Sequence, residues 1–357
     1  MLQFPFYRLE ARLLAHRSES AAVLSCSKYG EHPPASVAAS DFRGISRNLL
    51  YAMMGEQLVP TVSASGIQLS SHPVWRREMN AQHLTVDEMK DSMRAPWIAG
   101  DFGAIAREIG VPAAEDFVAR MGLEPGARVL DIACGTGNAT IPLARRGARV
   151  TGLDMIPHLL EEARARADRE GLGIRFDEGF AERLPYPDGS FDVLVSMFGI
   201  MFSPLPATVV SEMARVLRPG GRLALANWTS SSGFTEKMFA VVGRHLPPPP
   251  PGAISPYLWG EEATVRDRLK SDFDAVETSV VPVRWELQRS AAASAEFFAR
   301  NSGPIQLALG RLDASKQAAF LHDQEQLWID NNLSTNGENH TLISNEYLKT
   351  LATRRGL

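Results

Sequence analysis

The stretch VLDIACGTG at residues 129–137 decides the fold. Its apolar start predicts the end of a buried strand, and its two glycines predict a tight turn before a helix over residues 139–146. A glycine-rich turn between a strand and a helix is typical of α/β sheets that bind nucleotides. The residues around the two glycines therefore decide which ligand is expected.

Neither common phosphate-binding pattern surrounds this turn. The dinucleotide pattern G-x-G-x-x-G requires a third glycine where Thr140 stands, and the P-loop pattern G-x-x-x-x-G-K-[ST] is absent. Asp131, at the end of the strand, repels a phosphate and attracts an ammonium group. The sequence thus favours a ligand with a cationic end. An NAD-type oxidoreductase remains an alternative, which Asp131 and Thr140 disfavour.

Strands and helices alternate around this turn. Predicted strands cover residues 127–132, 148–153, 174–176, 191–197 and 222–228, and predicted helices cover 139–146, 157–169 and 207–217. This alternation predicts an α/β fold, a doubly wound, mostly parallel Rossmann-like sheet. Asp154 ends the second strand, where a carboxylate can accept both hydroxyls of a ribose.

The flanking segments predict four parts. Residues 1–78 are an N-terminal extension, expected to be poorly ordered or an over-extended start with Met79 as the true first residue. Residues 79–122 are cap helices, broken at Pro96 and Gly100. Residues 123–228 are the binding core, and residues 229–357 hold a helical insertion, a substrate cap and the last strands. In this last part we predict a stiff proline connector at 247–251, a strand at 275–287, and helices at 234–246, 292–299 and 316–331. Residues 346–353 predict a final strand, although their composition also permits a helix.

Composition narrows the class of protein. The formal net charge of the 357 residues is -4, and no basic face predicts a nucleic-acid partner. No apolar run is long enough to span a membrane. The two cysteines, Cys26 and Cys134, have no metal-binding spacing and cannot form a disulfide framework. We therefore expect a cytoplasmic protein without a metal site or a membrane span, and the oligomeric state stays open.

Four segments form a recognisable series along the chain: VLDIACGTG at 129–137, GFAERLPY at 179–186, GSFD at 189–192 and LRPGG at 217–221. In this order they resemble the class I S-adenosylmethionine-dependent methyltransferases, most of all the bacterial group related to ubiquinone/menaquinone biosynthesis. The resemblance implies a seven-stranded sheet of the methyltransferase type and S-adenosylmethionine as cofactor. It also implies a small-molecule methyl acceptor, whose identity it leaves open because acceptors in this family are diverse.

The resemblance also implies a role for each matching residue. Asp131 engages the methionine ammonium, and Asp154 binds the ribose hydroxyls. The remaining cofactor-binding positions line the methionine, the adenine or the sulfonium: Ala133, Gly135, Thr136 and Gly137 in the turn, Met155, Ala181 and Glu182 at the adenine, and Ser196 and Met197 at the sulfonium. Phe180 departs from the family, which usually has an Asp there that accepts from the adenine amino group.

The sequence predicts less about the residues that bind the methyl acceptor. No catalytic base is identified; His158 is expected to be solvated, and His245 and Tyr257 are weak candidates. The apolar run at 197–202 follows the fourth strand and predicts an apolar or aromatic acceptor cavity, or ordinary core. The insertion at 229–261 would cap that cavity through Phe234, Phe239 and Trp259, and Trp97 and Phe102 form either a lid or core. A repurposed or non-catalytic S-adenosylmethionine-binding protein remains a further alternative, because of Phe180 and the missing base.

Overall fold

The structure, a computed structural model, describes residues 86–230, 233–248, 253–336 and 338–356, together with five short strands between residues 9 and 70. Its contacts divide the chain into two units, Met1–Thr85 and Val86–Leu357. The short strands form a two-stranded and a three-stranded antiparallel sheet in the first unit. The predicted extension at 1–78 otherwise lies outside the described residues.

Seven strands form the sheet of the second unit. They are β1 (Arg128–Ile132), β2 (Arg149–Asp154), β3 (Arg175–Glu178), β4 (Phe191–Met197), β5 (Leu217–Trp228), β6 (Phe273–Leu287) and β7 (Thr341–Arg354). Their order is β6-β7-β5-β4-β1-β2-β3, and only β7 runs against the others. The order reverses between β1 and β4, so right-handed connections place the helices on opposite faces. The predicted seven-stranded, mostly parallel Rossmann-like sheet is confirmed.

Eleven α-helices are described in the second unit. They are α1 (Val86–Ile98), α2 (Phe102–Ile105), α3 (Val111–Ala119), α4 (Thr140–Arg145), α5 (Pro157–Arg169), α6 (Pro206–Val216), α7 (Phe234–His245), α8 (Glu262–Leu269), α9 (Ala291–Asn301), α10 (Gly303–Leu309) and α11 (Ala314–Asp330). A π-helical turn covers Ala106–Gly110, and 3-10 turns cover Ile200–Phe202 and Pro256–Gly260. None of the described helices combines the length and the apolar character that a membrane crossing requires.

Local chemistry sets the helix ends that frame the site. Pro157 occupies the first position of α5, where its fixed φ suits the helix and its missing N–H leaves no bond unmade. Gly147, at φ +83°, ends the turn after α4 in the left-handed region that glycine adopts readily. The two predicted helices are present, but the break falls at Gly100 and not at Pro96, because α1 continues to Ile98 and α2 begins at Phe102. Pro96 lies in the last turn, where its ring removes a single helix hydrogen bond.

The core occupies both sides of the sheet and continues into the C-terminal part. Its largest fully buried side chains include Phe117, Leu130 and Ile132 beside the parallel strands, and Trp285 and Trp328 beyond them. This C-terminal half also holds α8 and α10, which the sequence did not predict. The predicted proline connector at 247–251 lies mostly outside the described residues.

Candidate functional site

A cavity of about 240 Å³ opens along the carboxyl ends of β1, β2, β4 and β5. This edge, where the strand order reverses, is where open α/β sheets bind their ligands. The described residues that line one end carry all three of the cavity's carboxylates, Asp131, Asp154 and Glu182. The other end is mainly aromatic and aliphatic. The cavity therefore has a polar end and an apolar end.

Asp131 is held in an almost fully buried position at the end of β1. Its side chain is 2% exposed, and its Oδ2 accepts a hydrogen bond of 2.6 Å from the hydroxyl of Thr140, at the start of α4. Burial raises the pKa of Asp131 from 3.8 to about 7, although the Thr140 hydrogen bond opposes that rise. A carboxylate in this environment gains from a cationic partner, because its charge is poorly solvated.

The turn after β1 brings backbone to the cavity in an unusual conformation. Ala133 and Gly135 have φ values of 57° and 53° and both line the cavity. A methyl group built at Gly135 would meet nothing within 4 Å, so open space lies beside this glycine. A methyl group built at Gly137 would instead meet the side chains of Ala163 and Ile141 at 3.5 and 3.6 Å. A left-handed alanine is rare, and such strain collects at functional sites.

Asp154 is fixed at the end of β2 by two backbone amides. The N–H of Gly135 donates to its Oδ2 at 2.8 Å, and the N–H of Ile156 donates to its Oδ1 at 2.9 Å. Burial raises the pKa of Asp154, while these amides oppose the rise. Each carboxylate oxygen keeps acceptor capacity beyond one amide, so the group can still accept from a diol in the cavity.

The polar end closes around the residues that follow β3. Phe180, Ala181 and Glu182 line the cavity beside Met155. The hydroxyl of Ser203 donates to Oε1 of Glu182. From α1, the guanidinium of Arg94 lies 5.0 Å from the centre of the Phe180 ring and donates to the Met155 carbonyl at 3.0 Å.

The apolar end is built on two stacked rings. Phe198 lies against Trp228 with ring centres 3.7 Å apart and planes 2° apart. Phe198 is itself left-handed, at φ 59°, directly after β4. Further side chains of this end come from α1, α2, α7, β6 and α9: Trp97, Phe102, Met238, Phe239, Trp285 and Phe298.

Most of the predicted cofactor-binding residues share this cavity. The lining includes Asp131, Ala133, Gly135, Thr136, Asp154, Met155, Ala181, Glu182 and Met197. Ser196 and Gly137 do not belong to it. Ser196 is fully buried, and its hydroxyl donates to the Ile132 carbonyl at 2.7 Å, which ties β4 to β1. The structure thus shows Ser196 in a contact between strands, and the assignments of Ser196 and Gly137 to the cofactor stay predictions.

The weaker candidates lie apart from the cavity lining. His158 is exposed on the first turn of α5, as expected. His245 pairs with Asp323 at 2.9 Å, which links α7 to α11. Tyr257 packs on the edge of Phe239, so it contacts the lining from behind. Within the part of the chain that the structure describes, no group of three or more His, Cys, Asp or Glu side chains could hold a metal ion.

Sequence reasoning missed several residues of the site. In the sequence, Thr140 counted only as a departure from the third glycine of the dinucleotide pattern. In the structure, its hydroxyl donates a hydrogen bond to Asp131. The sequence did not predict Ser203 and Trp285, which line the cavity, or Arg94, which contacts the lining residues Met155 and Phe180, because these contacts join distant parts of the chain. For Met197–Phe202, the sequence predicts either the lining of an acceptor cavity or ordinary core. The structure resolves it into both, with Phe198 and Phe202 lining the cavity and Met201 buried.

This donor and acceptor arrangement fits S-adenosylmethionine. The ligand carries an ammonium, a ribose diol and no phosphate, and the polar end offers two buried carboxylates and open space beside Gly135. The sulfonium is a cation, which aromatic faces such as those of Phe198 and Trp228 attract. A dinucleotide pyrophosphate would instead meet Asp131, a carboxylate, in the turn.

Comparisons with known proteins agree with this fit. The sequence profile of a methyltransferase domain matches residues 130–225. An uncharacterized protein of Mycobacterium tuberculosis is 36% identical over 211 residues, which cover 59% of this chain and 77% of that protein. A demethylmenaquinone methyltransferase of Deinococcus radiodurans is 43% identical over 124 residues, which cover 34% of this chain and 52% of that enzyme.

Among solved structures, the YcgJ protein of Bacillus subtilis is similar, with a TM-score of 0.45 and 19% sequence identity. The alignment covers 69% of this chain and all of that one. The profile match begins in β1 and ends in β5, so it includes the ends of β1, β2 and β3 that carry the polar end of the cavity. The chain therefore belongs to the class I S-adenosylmethionine-dependent methyltransferases, and S-adenosylmethionine is its cofactor.

Proposed function

We propose that this protein transfers a methyl group to a small, largely apolar or aromatic acceptor that binds in the apolar end of the cavity. The observation that carries the proposal is the division of the cavity, with every carboxylate at one end and stacked aromatic rings at the other. The apolar end discriminates against charged acceptors, because burying an unpaired charge there is unfavourable.

The proposal assigns the polar end to the cofactor. Asp131 binds the ammonium, Asp154 binds the ribose hydroxyls, and the turn at Ala133–Thr136 supplies backbone to the methionine part. Met155, Ala181 and Glu182 surround the adenine. These assignments follow from the order of the residues along the strand ends, since β1, β2 and β3 are consecutive neighbours in the sheet.

The chemistry needs alignment more than acid or base groups. The bound cofactor supplies an activated methyl group on a sulfonium. This chain's residues then hold the acceptor in line with that group and keep water out, and orientation of this kind can contribute about 7–11 kcal/mol of barrier lowering. Phe198 and Trp228, whose ring planes are nearly parallel, form a rigid wall suited to orienting a planar acceptor.

The same proposal includes the size and class of the acceptor and the cellular compartment of the protein. A cavity of about 240 Å³ that also holds the cofactor suits a small molecule better than a polymer. The relative from Deinococcus radiodurans is named a demethylmenaquinone methyltransferase, and from that name we take only a ring-containing acceptor as the proposed class. We keep the cytoplasm as the proposed compartment, from the use of cysteine.

The test separates acceptor binding from cofactor binding. We expect Phe239→Asp to abolish transfer of labelled methyl groups across a panel of aromatic and aliphatic acceptors, while S-adenosylhomocysteine still binds with its normal affinity in calorimetry. Phe239→Leu keeps the site apolar and should retain turnover. Leu205→Asp, at a side chain that is already exposed, controls for the added charge. Retained turnover in Phe239→Asp, or loss of S-adenosylhomocysteine binding, would contradict the proposal.

A further inference from the structure

The strand order places the three cavity carboxylates in a row. Asp131 is the last residue but one of β1, Asp154 ends β2, and Glu182 lies in the turn after β3, while β1, β2 and β3 are successive neighbours. In the proposed function, Asp131 takes the ammonium and Asp154 takes the ribose. The base attached to that ribose then reaches the turn after β3. This inference rests on that placement of the cofactor and not on the identity of the acceptor.

The turn after β3 has a fixed backbone. The N–H of Arg183 donates to the Phe180 carbonyl at 3.1 Å, and the N–H of Leu184 donates to Oε2 of Glu212 at 2.7 Å. These bonds hold both sides of the turn. Within the described residues, the N–H groups of Ala181 and Glu182 donate to no protein acceptor, and both residues line the cavity. The turn therefore offers backbone donors to a ligand.

The carboxylate of Glu182 is positioned by a second turn. The hydroxyl of Ser203 donates to Oε1 of Glu182, and the same oxygen of Ser203 accepts the N–H of Leu205 at 3.1 Å. Ser203 is buried and also lines the cavity. No Lys, Arg or His of the described chain pairs with Glu182, and its Oε2 accepts from no described protein group. One oxygen of Glu182 is thus held in place, and the other is available to a ligand.

The side chain of Phe180 lines the same polar end of the cavity, and a phenyl ring has no conventional hydrogen-bond acceptor. The guanidinium of Arg94 lies 5.0 Å from its ring centre and is anchored on the Met155 carbonyl. A phenyl ring can stack on a purine but cannot accept a conventional hydrogen bond from an amino group at its edge. Any acceptor for an adenine amino group must come from another residue.

We propose that Glu182 is this acceptor and determines the preference for adenine. Adenine presents an amino donor beside a ring-nitrogen acceptor, and the turn presents a carboxylate beside backbone N–H donors, so the two edges are complementary. Ser203 is the positioning residue that orients the carboxylate. The adenine amino group is then recognised by Glu182, the residue after Ala181, and the Phe180 ring packs against the adenine.

The test compares two ligands that differ only in the amino group. Calorimetry measures the affinity of S-adenosylhomocysteine and of its 6-desamino analogue, S-nebularylhomocysteine, for the full chain. Hydrogen bonds to charged groups are among the stronger ones, so we expect the unaltered protein to prefer S-adenosylhomocysteine by roughly tenfold or more. Glu182→Ala should weaken the affinity for S-adenosylhomocysteine by about the same factor, and should change the affinity for the analogue by no more than about twofold.

Matched variants separate recognition from folding. Glu182→Gln keeps the shape and one carbonyl acceptor, and should lose only part of the preference. Ser203→Ala should reduce the preference for S-adenosylhomocysteine without changing the affinity for the analogue. Glu161→Ala, at an exposed position on α5, should change the affinity for neither ligand. Equal weakening of both ligands by Glu182→Ala and Glu182→Gln would overturn the inference, as would an unaltered protein that does not distinguish them. Absence of methyl transfer to any acceptor, with this preference intact, would count against the proposed function alone.

Discussion

Replacement of Asp131 by Asn should stabilise the ligand-free protein at neutral pH while weakening cofactor binding. Asp131 is buried near the end of β1, and the Thr140 hydroxyl donates to its side chain. The Asn carbonyl oxygen can still accept that hydrogen bond, and the substitution changes side-chain volume little. It removes the charge, which the buried environment disfavours and the cofactor ammonium requires.

The expected magnitude follows from the pKa of Asp131. Burial raises this pKa from 3.8 to about 7, so the folded chain keeps the proton after the unfolded chain has lost it. Stability therefore falls as pH rises from about 4 to about 7, and stays lower above that range. Three pKa units correspond to about 4 kcal/mol, of which about 2.5 kcal/mol falls between pH 5 and pH 8.

Urea unfolding at pH 5 and pH 8 measures this difference. The free energy of unfolding of Asp131→Asn, relative to the unaltered chain, should be about 2.5 kcal/mol more favourable to the folded state at pH 8 than at pH 5. Asp168→Asn, at an exposed position on α5, should show no such change. In the unaltered chain, affinity for S-adenosylhomocysteine should rise roughly tenfold between pH 6 and pH 8, because the ionised fraction of Asp131 rises by about that factor.

Two results would refute this reasoning. One is a stability difference between the Asn variant and the unaltered chain that does not depend on pH. The other is an affinity for S-adenosylhomocysteine that Asp131→Asn leaves unchanged. Either result would mean that Asp131 is ionised without penalty, or that the ammonium lies elsewhere.

Two further substitutions test neighbouring contacts. Thr140→Val removes the hydroxyl that lowers the pKa of Asp131, so the rise in S-adenosylhomocysteine affinity should move to higher pH; an unchanged midpoint in a calorimetric pH series would contradict this. Gly135→Ala places a methyl group in the cavity beside a backbone at φ +53°, and should abolish cofactor binding. Gly126→Ala imposes the same backbone strain at φ +79° outside the cavity, so it should lower stability by about 1 kcal/mol and leave binding intact. Equal binding in the two alanine variants, measured by calorimetry, would rule out the placement of the cofactor beside Gly135.

The sheet could be predicted from the sequence because its buried strands appear as uninterrupted apolar runs. Runs such as residues 193–195 are apolar throughout, which is typical of strands covered on both faces. Both cofactor carboxylates were also within reach of the sequence, since Asp131 and Asp154 directly follow such runs. Strand ends meet at one edge of a parallel sheet, so local sequence was enough to bring these two residues together.

The same continuity explains why the sequence alone did not separate Ser196, which lies outside the cavity lining, from Met197, which belongs to it. A strand buried on both faces has no polar–apolar alternation, so its sequence gives no sign of which side chains point toward the cavity. Arg94 and Ser203 were missed for another reason, because their contacts with Met155 and Glu182 depend on distant segments. The short helices α8 and α10 have too few turns to show helical periodicity.

A crystal structure with S-adenosylhomocysteine tests the central claim most directly. We expect the ribose hydroxyls at hydrogen-bonding distance from Asp154, the ammonium beside Asp131, the adenine beside Phe180 and Glu182, and the sulfur directed toward Phe198 and Trp228. A ligand bound outside this cavity would contradict the account. A ligand turned end for end, with its adenine at the apolar end, would contradict it equally.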